Sequence, residues 1–210
     1  MTIAVIDYGM GNLRSVSKAL EHVAGATPVV VTADPAVVAA AERVVFPGQG
    51  AMPDCMRELD SRGLRSAVVQ AAQDKPFLGI CVGEQMLFER SEEGDVPGLG
   101  VFPGMVRRFP DAKMVDAKGD RLKVPHMGWN EVWQKPHALW SGIADGSRFY
   151  FVHSYCVQHV DAALTTGTTE YGLPFTCAVG RDNIFAVQFH PEKSARDGLH
   201  LLKNFVEWRP

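Results

Sequence analysis

Cys81 stands between Gly79 and Gly83 in the run Pro76-Phe77-Leu78-Gly79-Ile80-Cys81-Val82-Gly83-Glu84-Gln85. A short apolar strand that drives into such a cysteine is the thiol counterpart of a nucleophile elbow, the sharp strand-to-helix turn that exposes one reactive side chain. Side chains at 79 or 83 would crowd the turn or the approaching substrate, so glycine is needed at both. The turn is expected to set the sulfur at a helix N-terminus, where the dipole and free amides favour a thiolate. The chemistry this predicts is acyl transfer.

A cysteine nucleophile needs a proton shuttle, and the shuttle needs an orienting group. The run Gln188-Phe189-His190-Pro191-Glu192-Lys193-Ser194 offers both. His190 closes an apolar strand, Pro191 ends the ladder, and Glu192 is near enough to accept a hydrogen bond from the imidazole. The predicted triad is Cys81, His190 and Glu192. A third run, Phe46-Pro47-Gly48-Gln49-Gly50-Ala51, is a glycine-rich loop after a strand. Its backbone N–H groups at Gln49 and Gly50, with the amide of Val82, would form an oxyanion hole. One donor of that kind is worth ~2.7–4 kcal/mol in the transition state.

The elements that must hold these groups alternate in the first half. Strands are expected at residues 2–7, 29–32, 43–46 and 77–81. Helical spacing of Leu13, Val16, Leu20 and Val23 follows Asn12, an Ala/Val-rich helix follows Asp34-Pro35, and Leu64 to Gln73 reads as another helix. This alternation predicts an α/β fold with a central mixed, largely parallel sheet flanked by helices on both faces. Beyond about residue 95, short extended segments dominate, with strands at 149–152, 176–179 and 184–189. Residues 181–183 form a hairpin turn, and a terminal helix carries Leu199, Leu202, Phe205 and Val206. No repeat or linker interrupts the chain, so one domain over 1–210 is expected.

Composition narrows the class. Hydrophobic residues make up 46% of the chain and charged residues 21%, the balance of a globular protein. A net charge of −3 leaves no basic footprint for nucleic acid. No apolar run reaches the ~18–20 residues that span a bilayer, so no membrane role is expected. Residues 1–7 read as a strand and not as a signal peptide. Four cysteines without paired spacing fit a reduced, cytoplasmic protein. No dinucleotide cofactor is expected, because Arg14 occupies the third glycine position of the fingerprint that Gly9 and Gly11 begin. His153, Cys156 and His159 lie three apart on an extended segment, facing opposite sides, so no metal is expected either.

The Gly79–Gln85 run together with His190-Pro191-Glu192 resembles the triad, or class I, glutamine amidotransferases and their flavodoxin-like fold. Within that group, Asp7-Tyr8-Gly9-Met10-Gly11-Asn12-Leu13, residues 47–50, Pro125-His126-Met127-Gly128-Trp129-Asn130, residues 150–155 and residues 188–194 resemble the glutaminase subunits of imidazole glycerol phosphate synthase. The resemblance implies hydrolysis of glutamine to glutamate and ammonia, without a cofactor. Ammonia would pass to a (β/α)8 cyclase subunit in a heterodimer. It implies that Gly50, Gln85, Glu93 and the backbone at Ser154 and Tyr155 hold glutamine, and that Asn12, Trp129, Tyr150 and Lys193 face the cyclase. In related proteins a peptide of the glycine-rich loop reorients to complete the oxyanion hole. The chain departs from the family pattern at Gln49, where valine is frequent, and at Glu84, where an apolar residue is common. Two other readings share the elbow: a glutaminase subunit serving a different synthase, and a redox-sensing module that uses Cys81 without Glu192.

Overall fold

The computed structural model describes residues 1–210 except 117 and 159. In chain order its first half comprises β1 (Ile3–Ile6), α1 (Leu13–Val23), β2 (Val29–Thr32), α2 (Pro35–Ala40), β3 (Arg43–Gly48), α3 (Met52–Ser61), α4 (Arg65–Asp74), β4 (Phe77–Cys81) and α5 (Val82–Gln85). Then follow β5 (Phe88–Ser91), β6 (Val96–Pro97), β7 (Phe102–Arg108), β8 (His126–Glu131), β9 (Trp133–Gln134), β10 (Arg148–His153), β11 (Tyr155–Gln158), β12 (Thr165–Glu170), β13 (Pro174–Arg181), β14 (Ile184–Val187) and α6 (Ala195–Glu207).

Eight strands form the main sheet in the order β2-β1-β3-β4-β14-β13-β12-β9. The pairs from β2 to β14 are parallel and the rest antiparallel, which is the mixed, largely parallel sheet expected. Strands β1, β3, β4 and β14 are buried along their whole length, as continuous apolar runs covered on both faces must be. Helix α1 packs on α6, and α2 on α4; the right-handed rule for parallel crossovers sets these two groups on opposite faces of the sheet. Two satellite sheets, β10-β8 and β11-β7-β5-β6, account for the strand-rich second half.

Three local expectations need correction. The strand before the glycine-rich loop runs on through Pro47 and Gly48, because both extend the parallel ladder to β4. Helix α3 follows the loop at once, although the glycines obscured its signal: Met52, Cys55, Met56 and Leu59 recur at helical spacing and are buried. The elbow helix is only one turn long, since the chain leaves it to pair β5 with β7. A single turn carries little macrodipole, so the helix-terminus argument for a thiolate at Cys81 loses most of its force. Asn12 precedes α1, yet its side chain makes no capping bond, whereas Asp34 caps α2 by accepting from the Ala36 amide at 2.8 Å. No helix of the described residues is long and apolar enough to cross a membrane.

Three buried titratable groups give the fold a distinctive proton balance. His126 and His153 face each other across the β8–β10 ladder. Burial brings His126 down to about 4; burial, then the His126 ring beside it, bring His153 down to about 3. Glu84, just past β4, is fully buried with both carboxyl oxygens unpartnered, and desolvation holds its pKa well above the usual carboxylate value. Between about pH 6 and pH 5 the two rings are protonated only when unfolded, and the carboxyl only when folded. Two minus one leaves the folded chain one proton short. Burial also lowers His137, which acts in the same sense, so stability is expected to fall as pH drops through this window by at least about 1.4 kcal/mol per pH unit. Urea midpoints across the window measure the slope, and Glu84→Gln, which removes the opposing group, is expected to steepen it by about a further 1.4 kcal/mol per pH unit. A slope near zero in the wild type would show that the rings are already charged in the folded state.

Candidate active site

The ends of three adjacent parallel strands meet at one edge of the main sheet. Gly48 lies beside Cys81 in the β3–β4 register, and Val187 beside Ile80 in β14–β4. Ligands bind outside the carboxyl ends of such strands. The glycine-rich loop, the elbow cysteine and the 188–190 segment are thereby gathered from positions far apart in sequence. Cys81 has φ 57° and ψ −115°, a conformation costly for any residue with a Cβ. It is held there by close backbone packing. A Cβ on Gly83 would overlap the Phe46 carbonyl oxygen, and one on Gly79 would lie 2.9 Å from the Ala186 Cβ.

Residues 191–193 form a 3-10 turn that folds Glu192 back under the ring of His190. Nδ1 of His190 and Oε1 of Glu192 are 2.9 Å apart, and both side chains are almost wholly buried. Ser194 fastens the turn: its hydroxyl donates to the His190 carbonyl at 2.6 Å and accepts from the Tyr150 amide at 2.9 Å. Burial opposes charge on His190, but the Cys81 sulfur and then Glu192 outweigh it and raise the ring to about 10. The site thus favours an imidazolium next to the sulfur. The other ring nitrogen, Nε2, is buried and has no hydrogen-bond partner among the described residues. A thiol, an imidazole and a carboxylate so arranged match the set that acyl transfer requires.

A cavity of about 280 Å³ opens over this group. Gln49, Gly50 and Val82 line it beside Cys81, and Gly50 has φ 101°, which the absence of a side chain permits. Gln85, Glu93, Ser154, Tyr155 and Lys193 also line it. Glu93 accepts from the Met52 amide at 2.7 Å, so its carboxylate is moored to the start of α3. The carbonyls of Ser154 and Tyr155 are already engaged, the first by the Phe109 amide at 3.0 Å and the second by Gln85 Nε2 at 3.1 Å. Of the four residues expected at an interface, three cluster: Trp129 and Tyr150 meet edge to face at 6.2 Å, and Lys193 Nζ sits 5.9 Å from the Tyr150 ring centroid. Trp129 is half exposed beside an equally exposed Met127. Asn12 immediately precedes α1, which packs against the 191–193 turn.

Gln188 was not among the expected site residues. It is fully buried, donates toward the Cys81 sulfur at 3.7 Å and accepts from Gln85 Nε2 at 2.8 Å. Its place two residues before His190 on an extended segment was the available signal, since alternate residues share a face. Cys55 and Cys156 are pushed by burial up to about 11 and 12, and burial also raises Cys177, so each stays a thiol. Among the described residues no group of His, Cys, Asp or Glu could hold a metal ion. His153 is instead committed to hydrogen bonds with His126 and the Tyr155 carbonyl, and His159 lies outside the described residues.

Comparison with known proteins fits this geometry. Residues 4–208 match the glutamine amidotransferase class-I family. The chain is 84% identical to an imidazole glycerol phosphate synthase subunit HisH from Dechloromonas aromatica, covering 100% of this chain and 97% of the relative. It is 71% identical to the HisH subunit from Aromatoleum aromaticum, with 99% of each covered. Among solved structures, one described as a glutamine amidotransferase superposes with a TM-score of 0.72 at 16% identity, covering 98% of this chain and 97% of its own. The PurLQS structure from Thermotoga maritima superposes at 0.69 with 18% identity, covering 98% and 97%. Those two likenesses speak to the fold, and the sequence matches to descent. The chain belongs to the class-I glutamine amidotransferases and, within them, to the HisH subunits of imidazole glycerol phosphate synthase.

Proposed function

We propose that this chain, acting as one catalytic unit, hydrolyses glutamine to glutamate and ammonia and supplies the ammonia to a synthase partner. The observation that carries the reading is the strained Cys81 beside the His190–Glu192 pair at the floor of the cavity. Cys81 Sγ attacks the side-chain amide carbon of glutamine, forming a C–S bond and moving the carbonyl π electrons onto oxygen. Backbone amides at Gln49, Gly50 and Val82 receive that oxyanion. Its collapse breaks the C–N bond, and the departing nitrogen takes the proton from His190 Nε2 to leave as ammonia. Water then attacks the thioester and gives a proton to His190. The C–S bond breaks, releasing glutamate and restoring the ion pair. Glu192 keeps Nδ1 protonated throughout, so that Nε2 does the work.

Gly50, Gln85, Glu93 and the backbone at Ser154 and Tyr155 hold glutamine, with the Glu93 carboxylate suited to its ammonium group. The partner is a (β/α)8 cyclase subunit, bound as a heterodimer through Asn12, Trp129, Tyr150 and Lys193. The exposed Trp129 and Met127 support a docking face there. Ammonia passes through a tunnel to that subunit, where imidazole glycerol phosphate forms for histidine biosynthesis in the cytoplasm. The names of the relatives support this assignment. The complex needs no cofactor or metal. The Gln49–Gly50 loop reorients on partner binding, completing the oxyanion hole and coupling the two activities.

Glutamate release by the chain alone is expected to be weak and to rise strongly with the cyclase and its nucleotide ligand. Full activity without the partner would contradict the coupling. Cys81→Ala is expected to lower release by at least about a thousandfold with heterodimer formation unchanged. Persistent turnover in that variant would overturn the nucleophile assignment. Glu192→Gln, which can still accept from Nδ1 but carries no charge, is expected to cost about a hundredfold in kcat.

A further inference from the structure

A second polar structure sits beneath the cavity, and the proposed chemistry does not use it. His153 lines the site cavity, while His126 lines a separate cavity of about 460 Å³. The rings join at 2.9 Å between His126 Nδ1 and His153 Nε2. His153 Nδ1 lies 2.7 Å from the Tyr155 carbonyl, and Asn130 Nδ2 lies 3.4 Å from His126 Nε2. Asn130 Nδ2 also donates to the Glu170 carbonyl at 2.8 Å.

The direction of every bond in this row is fixed by its ends. A backbone carbonyl only accepts, so His153 Nδ1 carries its proton, and the neutral ring offers Nε2 as acceptor. His126 must then donate from Nδ1, which leaves its Nε2 bare to accept from the Asn130 amide. Both rings are therefore Nδ1–H tautomers, the minor form of free neutral imidazole. Packing locks their planes: His126 lies between Tyr171, at 4.0 Å, and Phe151, at 4.8 Å, stacked on both.

The row ends where the pocket begins. The Tyr155 carbonyl takes one N–H from His153 and one from Gln85. Gln85 gives its other N–H to Gln188, which donates in turn to Cys81. With both protons of its amide nitrogen committed, Gln85 presents its carbonyl oxygen as the free polar atom on this wall of the cavity.

From this arrangement we infer that His126 and His153 are positioning residues. Through the Tyr155 carbonyl they fix the rotation of the Gln85 amide and so set how tightly the pocket holds an amide-bearing amino acid. The inference rests on the glutaminase reading for its ligand but not for its hydrogen-bond pattern. The same row reaches from the pocket to β8, whose other face presents Met127 and Trp129 to solvent.

The test uses the complete complex with its cyclase. His126→Phe keeps the aromatic stack and removes the donor; His126→Asn restores a donor close to the place of Nδ1. In His126→Phe the KM for glutamine is expected to rise about tenfold, with kcat changed less than about twofold. Alkylation of Cys81 by iodoacetamide is expected to keep its wild-type rate, because the nucleophile is untouched. His126→Asn is expected to recover most of the affinity. An unchanged KM in His126→Phe, or an Asn variant no better than Phe, would overturn the inference. Nitrogen-15 spectra of the histidine-labelled wild-type chain test the pattern without any variant or turnover. Two buried Nδ1–H rings are expected near neutral pH, and an Nε2–H or doubly protonated ring at either position would overturn it. A wild-type complex that releases no glutamate would refute the glutaminase reading itself, leaving the ring tautomers to decide the hydrogen-bond row.

Discussion

The contact between the Gly83 backbone and the Phe46 carbonyl is the constraint on which the site depends. Because nothing larger than hydrogen fits there, β3 and the elbow turn lie close together, and Cys81 is driven into a positive-φ conformation. That conformation lifts the sulfur out of the sheet edge and toward His190. Relaxing the contact would let the turn open and the Cys81 side chain swing away. The parallel register of β3, β4 and β14 then supplies the remaining partners without further strain, since each strand ends at the same level.

Around this point the electrostatics divide cleanly by environment. His190 lies between the Cys81 sulfur and Glu192 and gains charge; His126 and His153 are buried among aromatic walls and lose it, His153 further disfavoured by the His126 and His190 rings. Glu84 has no hydrogen-bond partner among the described residues, and burial keeps it protonated. Four ionisable side chains in one small volume thus take states opposite to, or well removed from, their behaviour in water. A neutral Glu84 also avoids placing a buried negative charge behind Cys81, where it would oppose a thiolate.

Much of this was legible in the residues. Gly79 and Gly83 around Cys81 announced the elbow, and His190-Pro191-Glu192 announced the ring–carboxylate contact, because both rest on local backbone geometry that few residue types satisfy. The continuous apolar runs of the parallel strands fixed the fold class in the same way. Helix α3 escaped notice because its apolar spacing begins inside the glycine-rich stretch. The one-turn length of α5 was hidden because the competing strand pairing, β5 with β7, is made with residues about fifteen positions away. The His126–His153 row was invisible for a related reason: its meaning lies in cross-strand partners, and no sequence spacing encodes those. For the glutamine-binding and interface residues, resemblance to a family carried the expectation further than their local chemistry did.

The proposed reaction stands or falls on Cys81 as the residue that meets the glutamine amide carbon. A chloroketone analogue of glutamine carries an electrophilic carbon close to that position, and peptide mapping by mass spectrometry identifies the residue it alkylates. The expected result is modification of Cys81 alone among the four cysteines, slowed by added glutamine. Modification of Cys55, Cys156 or Cys177 in its place, or none that glutamine protects against, would contradict it.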